Sequence, residues 1–341
     1  MLTTRVAATI FGILFSLAGS SSAADSLLAR CWPSGVAPTS DIERLPRRTA
    51  LPLSRLPLLV DAEAKPIPAA LRGSIRRVEL PPGSPKLVAL TFDLCETDGE
   101  VAGYDGPIIE VLRANAIRAT LFVGGKWMTS HPERSEQLIA DPLFEIANHG
   151  WAHRNARLLS GAALRAEIML PQSAALEAAA RLSARQCAFT HKGQIASPLR
   201  RPRLYRFPFG ACNQESLDAV GEAGLLAVQW DISSGDATPA TKGPQLAAYV
   251  ASAVKPGSIV LFHANGRGYN TAEALPLLIK RLKSQGYRFV TVSELLSAGK
   301  PVISPTCYDH RPGDTERYDR LLSRPKAPKE RAREPVVKIG L

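Results

Sequence analysis

The amino-acid sequence predicts an α/β fold, a distorted barrel of about seven parallel strands with helices packed outside and irregular extensions at both ends. Three observations point there. Short β-type apolar runs recur through the middle of the chain, helix-type stretches stand between them, and polar residues fall repeatedly where the runs end. Right-handed crossovers can close such a set into a barrel. A doubly wound open sheet is the rival that periodicity does not exclude.

The strand-type runs occupy 87–92, 119–123, 144–147, 204–207, 226–230, 259–262 and 289–292. They are rich in Val, Ile, Leu and Phe, and at four to six residues each they are short enough to be strands. The helix-type stretches are 107–114, 135–140, 162–183, 215–222, 244–254 and 271–284. Before the first run, residues 24–85 form a Pro- and Arg-rich extension expected to pack partly on the barrel, which spans 86–298. After it, residues 299–341 are charged and punctuated by proline, which predicts a basic, disordered tail.

With 341 residues and 45 % hydrophobic composition, the chain can bury a sizeable core and is neither a disordered tract nor a multi-span membrane protein. Arg5 precedes an apolar stretch, Val6 to Ala18, that gives way to Gly19-Ser20-Ser21-Ser22-Ala23-Ala24. That order is a secretory signal peptide over 1–23, too short to cross a bilayer, which takes about 20 apolar residues. A secreted or periplasmic location follows, and nucleic acid drops out as a partner. Most of the formal charge of +11 sits in the two flanks, which could touch an anionic cell envelope electrostatically or be solvated and neutral in function. Nothing implies a stable protein partner. No two of the five cysteines stand in CxxC spacing, so a zinc ribbon is excluded; the odd number leaves at least one thiol free or paired with another molecule.

At or just past the strand ends come Asp93, His149 and His153, Arg206, Asp231 and Asp236, and His263. Singly, each has a dull explanation: an Asp there is usually a helix N-cap, and a lone His usually a satisfied core residue. In a barrel, however, the C-terminal strand ends gather on one face, the face that carries an active site. His149-Gly150-Trp151-Ala152-His153 has the strongest local chemistry. Imidazoles four apart on a helical turn can take adjacent corners of one metal's coordination sphere, and a catalytic site of that kind needs a third protein ligand and an open position.

Thr91-Phe92-Asp93, His149-x-x-x-His153, Arg206-Phe207-Pro208-Phe209-Gly210, Trp230-Asp231 through Asp236, and Leu261-Phe262-His263 stand in an order that resembles the polysaccharide deacetylases with a NodB homology domain, carbohydrate esterase family 4. The stretch 286–295 is similar to that family's final strand and helix, so the resemblance covers roughly 86–298. It implies metal-assisted removal of acetyl groups from an N-acetylated glycan. Asp93 would be the base that activates water, paired with Arg206; His149 and His153 would bind a divalent metal, zinc first, with cobalt or nickel as alternatives. His263 would be the acid that protonates the leaving amine, oriented and kept protonated by Asp236. The Phe209 backbone N–H would help stabilise the oxyanion.

The sequence departs from the family at two points. The family's first motif has two adjacent aspartates, the second being the third metal ligand, and here that position is Leu94. Glu96 or Asp98 reaching in from the loop, Cys95 as a thiolate, or Asp93 itself could replace it, with Glu96 the first choice; a site with weak or absent metal binding is the remaining alternative. Ala237 stands where the family commonly has Trp, which opens a wall of the acyl pocket. His191 is expected on a solvent-exposed loop. Cys95 and Cys212 could meet at the barrel mouth, and Cys31 and Cys307 could tie the extensions together. The expected function is therefore a secreted deacetylase of an N-acetylhexosamine polymer. A non-catalytic glycan-binding barrel, or a hydrolase of another small amide, is the alternative.

Overall fold

The computed structural model describes residues 26–49, 65–189 and 201–322. The signal segment, His191 and the last part of the tail lie outside the described residues. Among the described residues, twelve strands occur in order: β1 (Arg47–Arg48), β2 (Ser74–Glu79), β3 (Lys86–Leu94), β4 (Glu100–Val101), β5 (Ala119–Val123), β6 (Phe144–Asn148), β7 (Leu204–Tyr205), β8 (Leu226–Ala227), β9 (Ile232–Ser233), β10 (Ser258–His263), β11 (Tyr287–Phe289) and β12 (Lys300–Ser304). The main sheet runs β12-β2-β10-β3-β5-β6-β7-β8, with β11 added to β3 and β9 to β10. From β10 through β8 every neighbouring pair is parallel. An isolated bridge from Ile75 of β2 to Val228, just past the far strand β8, brings the two ends of the strand order together, so the sheet curls into the expected barrel.

Alternation along each strand sorts its residues. Ala89, Phe122, Ala147, Val228, Ile259 and Leu261 fill the barrel. Their neighbours Val88, Leu90, Phe92, Leu94, Leu121, Val260 and Phe262 pack outward against the helices. The helices start where local chemistry says they should: Pro107, Pro132 and Pro244 occupy first-turn positions whose N–H would be unpaired anyway. Asn213 with Ser216, and Thr291 with Glu294, form reciprocal capping boxes. The last expected strand is displaced, since Val292 already opens the helix Val292–Ser297.

Three expectations need correction. The extension 24–85 is not wholly outside the barrel, because β2 lies within the sheet, antiparallel to both β10 and β12. Its charged centre, Arg76-Arg77, hid it. The Arg76 head escapes the apolar interior by donating to the carbonyls of Tyr308 (2.6 Å) and Asp309 (2.9 Å) and lying 3.8 Å over the Tyr308 ring. The tail is ordered as far as it is described: β12 pairs with β2, Cys307 is bonded to Cys212, and Arg317–Leu322 is helical. Finally, the disulfides are Cys31–Cys187 and Cys212–Cys307, leaving Cys95 as a buried free thiol. Cys95 and Cys212 do not pair, and each extension is tied to the barrel by its own bond.

Candidate active site

Strand register assembles the site. β10 pairs with β3 so that His263 stands beside Asp93, and β3 pairs with β5 so that Asp93 stands beside Phe122. The Arg206 N–H donates to the Asn148 carbonyl (2.8 Å), which sets Arg206 next to His149. The residues from 93, 149, 206 and 263 thus meet at the C-terminal strand ends.

Arg206 is completely buried, and each part of its guanidinium is used. Nη1 donates to Asp93 Oδ1 and to Thr91 Oγ1, both at 2.8 Å; Nη2 donates to the Gln229 carbonyl (3.1 Å) and Nε to the Val228 carbonyl (3.3 Å). The Phe122 ring lies 3.8 Å away. Burial lowers the Arg206 pKa, and the adjacent Asp93 carboxylate works against that shift.

The two histidines do not sit on a helical turn. They belong to a loop after β6 in which Gly150 (φ 76°) and His153 (φ 51°) are left-handed. Glu167, on the helix Gly161–Ser183, holds the loop by accepting the N–H groups of Ala152 (3.1 Å) and Arg154 (3.0 Å) on one oxygen. Gly150 is required twice over: its φ suits glycine, and a Cβ there would come within 2.7 Å of Glu167 Oε1. Burial pushes the Glu167 carboxyl up to about 7, against its two backbone donors.

His149 Nδ1 lies 3.0 Å from the Arg206 carbonyl, which can only accept, so Nδ1 carries the proton and Nε2 the lone pair. That Nε2 is buried and makes no hydrogen bond; it faces Asp93 Oδ2 at 3.2 Å without hydrogen-bonding geometry. Its ring meets His153 edge-on at 5.1 Å. Burial, reinforced by the neighbouring histidines, holds His153 well below its ordinary pKa, and burial lowers His149 as well. Two neutral imidazoles, one with an unpartnered buried nitrogen, suit a cation.

His263 is built differently. Its Nδ1 pairs with Asp236 Oδ1 at 2.8 Å, while Asp236 Oδ2 accepts the His263 N–H and the Thr271 hydroxyl, each at 2.8 Å. Desolvation works against the charged ring, but the Asp236 charge and hydrogen bond, with Asp93 beyond, prevail and raise its pKa. The site therefore sets two carboxylate pairs side by side, Asp93 with Arg206 and Asp236 with His263.

Neither Glu96 nor Asp98 is aimed at the two imidazoles. Leu94 is fully buried against the helix layer. The Glu96 carboxylate turns away from the imidazoles: it accepts the Ala102 N–H (2.9 Å) and the Ser130 hydroxyl (2.6 Å) and lies 3.4 Å from Lys126 Nζ. Asp98 is paired at the surface with Arg154 (2.8 Å). The group the fold does assemble is Cys95, His149 and His153, whose donor atoms all lie within 4.8 Å of one another. Burial, with Asp93 nearby, raises the Cys95 thiol pKa, so a cation is what would deprotonate it.

Asp231 leaves the expected cluster. Its carboxylate accepts the Ser258 hydroxyl and the Ile259 N–H, both at 2.8 Å, at the opposite end of β10. Ala237 is exposed beside Asp236. Phe209 sits at φ 60° with its ring 4.4 Å from His153 and 5.1 Å from Tyr318 of the C-terminal segment. Glu167, Thr271 and Asn265 escaped the sequence reading, because no spacing links a mid-helix Glu or a helix-entry Thr to a strand end.

A profile of the polysaccharide deacetylase family matches residues 81–191. A peptidoglycan-N-acetylglucosamine deacetylase of Bacillus cereus is 30 % identical over 217 residues, 63 % of this chain and 90 % of the relative. A chitooligosaccharide deacetylase of Bradyrhizobium is 28 % identical, over 61 % of this chain and 90 % of the relative. Among solved structures, a family 4 acetyl xylan esterase from Clostridium thermocellum with bound cobalt is 26 % identical (TM-score 0.50), covering 62 % of this chain and 91 % of that one. A CE4 family pseudoenzyme from Bacillus anthracis is 23 % identical (TM-score 0.54), covering 67 % and 70 %, and shares the fold. Sequence, barrel and relatives together establish that the chain belongs to the polysaccharide deacetylase family, hydrolases of carbohydrate esterase family 4.

Proposed function

We propose that this protein is an exported, divalent-metal-dependent hydrolase that removes N-acetyl groups from an N-acetylhexosamine polymer. The observation that carries it is the separation of two buried ion pairs, Asp93–Arg206 and His263–Asp236, on adjoining strand ends beside two neutral imidazoles. An amide is a poor electrophile, and its amine leaves only when protonated, so the reaction needs a base and a distinct acid. Asp93, pinned by Arg206, takes the proton of the attacking water. His263, oriented by Asp236, delivers a proton to the departing nitrogen, giving acetate and a free amine. The Phe209 N–H stabilises the oxyanion. His149 and His153 would hold the metal, whose chemistry there would be polarisation of the carbonyl and a lowered pKa for water. Zinc is the metal of first choice, with cobalt or nickel as substitutes.

The names of the relatives support a glycan substrate, whether peptidoglycan or a chitin-like oligomer. The signal-like N-terminus supports export, as do two disulfides, which persist outside the cytosol. Leu94 favours a second reading, a glycan-binding barrel without turnover. Acetate release from N-acetylglucosamine oligomers separates the two. Wild type releases acetate and Asp93→Asn and His263→Ala lose at least 100-fold on the proposed reading. Saccharide binding with no release by wild type would establish the second.

A further inference from the structure

We propose that Cys95 supplies a thiolate as the third protein ligand, so that this chain builds a Cys–His–His centre selective for a thiophilic metal in place of a carboxylate–histidine one. The proposal rests on the reading of His149 and His153 as metal ligands and adds the residue that completes them.

Position after β3 is the first argument. Leu94, the last residue of the strand, packs outward with the apolar helix layer, and Cys95, the first residue past it, is buried with its Sγ beside the two imidazoles. Distance is the second. A tetrahedral zinc with sulfur at about 2.3 Å and nitrogens at about 2.0 Å places its donors roughly 3.3–3.6 Å apart. The three donors here lie within 4.8 Å, so closure takes side-chain movements on the order of 1 Å. Elimination is the third. Glu96 is committed to Ala102, Ser130 and Lys126, and Asp98 to Arg154. Asp93 is held by Arg206. The other four cysteines are in disulfides, so none competes for Cys95.

Asn265 gives an independent sign of what the sulfur is built to be. It is fully buried, and its Nδ2 donates both to the Cys95 carbonyl (2.8 Å) and to the Cys95 Sγ (3.2 Å). A fixed N–H donor aimed at sulfur favours the anionic form and orients it. Asn265 is thus a positioning residue, two places beyond His263, that couples the thiol just past β3 to the loop after β10. Thiolate ligation also sets the metal class: zinc and cobalt are favoured, while magnesium, calcium and manganese are not.

The test uses the full-length protein loaded with cobalt(II) and, separately, with zinc. Wild type is expected to bind one metal and show a near-ultraviolet thiolate-to-cobalt charge-transfer band, with one sulfur and two imidazoles in the zinc X-ray absorption spectrum. Cys95→Ser is expected to lose the band and to weaken binding by more than the 10–100-fold typical of an outer partner. Cys95→Asp keeps metal without the band, which shows that the barrel itself survives substitution. Asn265→Ala is expected to keep the band, shift it, and weaken binding roughly 10-fold. Stoichiometric metal with no sulfur in its shell, or an unchanged band in Cys95→Ser, would overturn the proposal while leaving a metal-dependent enzyme. A folded wild type that binds no metal would overturn the metal reading and this proposal with it.

Discussion

A guanidinium with no exposed surface is expensive unless every donor finds a partner, and Arg206 meets that condition through Asp93, Thr91 and two carbonyls. Truncation should therefore do more than remove a helper of Asp93. Arg206→Ala strands a buried carboxylate and is expected to lower the free energy of unfolding by about 3–5 kcal/mol, read by urea titration. Asp93→Asn, which keeps the shape, should leave the fold largely intact and abolish turnover. The acid gives a pH prediction. Because the His263 pKa is raised, the ring stays protonated above the usual 6.5, and activity falls only as pH climbs through that raised value. The same shift stabilises the fold fully below the unfolded pKa and is lost over the same climb. Asp236→Asn removes the cause that raises it, so the alkaline limb of the pH–rate profile should move to lower pH. An unmoved limb would mean that His263 is not the acid.

At the scale of elements, the loop that carries His149 and His153 depends on the helix Gly161–Ser183. Glu167 satisfies two backbone N–H groups of the loop, and Gly150 makes room for it. Glu167→Ala is expected to cost about 1–3 kcal/mol by leaving the buried Ala152 N–H unpaired, measured as a shift in the urea midpoint. The C-terminal segment is the second such element. It adds β12, bonds Cys307 to Cys212 just past the Phe209 turn, and lays Tyr318 against Phe209. That bond spans 95 residues of sequence. A Cys212→Ala/Cys307→Ala double variant should unfold with about 2–5 kcal/mol less stability in matched denaturant series. The elements that were readable in sequence were those with a clean signal, such as 119–123, whose bounds match β5. β2 was not readable, because Arg76 and Arg77 break its apolar run and Arg76 is accommodated by carbonyls and a ring more than 200 residues away. The two histidines were found from their spacing, but their helical placement was wrong, since Gly150 and His153 turn the chain left-handed. The preference for Glu96 over Asp98, Cys95 and Asp93 as a third ligand meets a related obstacle, because only the folded contacts of Lys126 and Ser130 show that Glu96 is spoken for.

For the molecule as a whole, the barrel brings Asp93 from β3, the two histidines from the loop after β6, and His263 from β10 to one end. The flanks enter as structure as well as charge, because the described parts of both are stapled to the barrel. The central claim is that this assembly releases acetate with the help of a bound metal. The most direct measurement is acetate release from N-acetylglucosamine oligomers and from peptidoglycan, before chelation, after it, and after stoichiometric zinc or cobalt is restored. The account predicts release that chelation abolishes and the metal returns. Release indifferent to chelation, or none from any N-acetylated glycan by folded, metal-loaded protein, would contradict it.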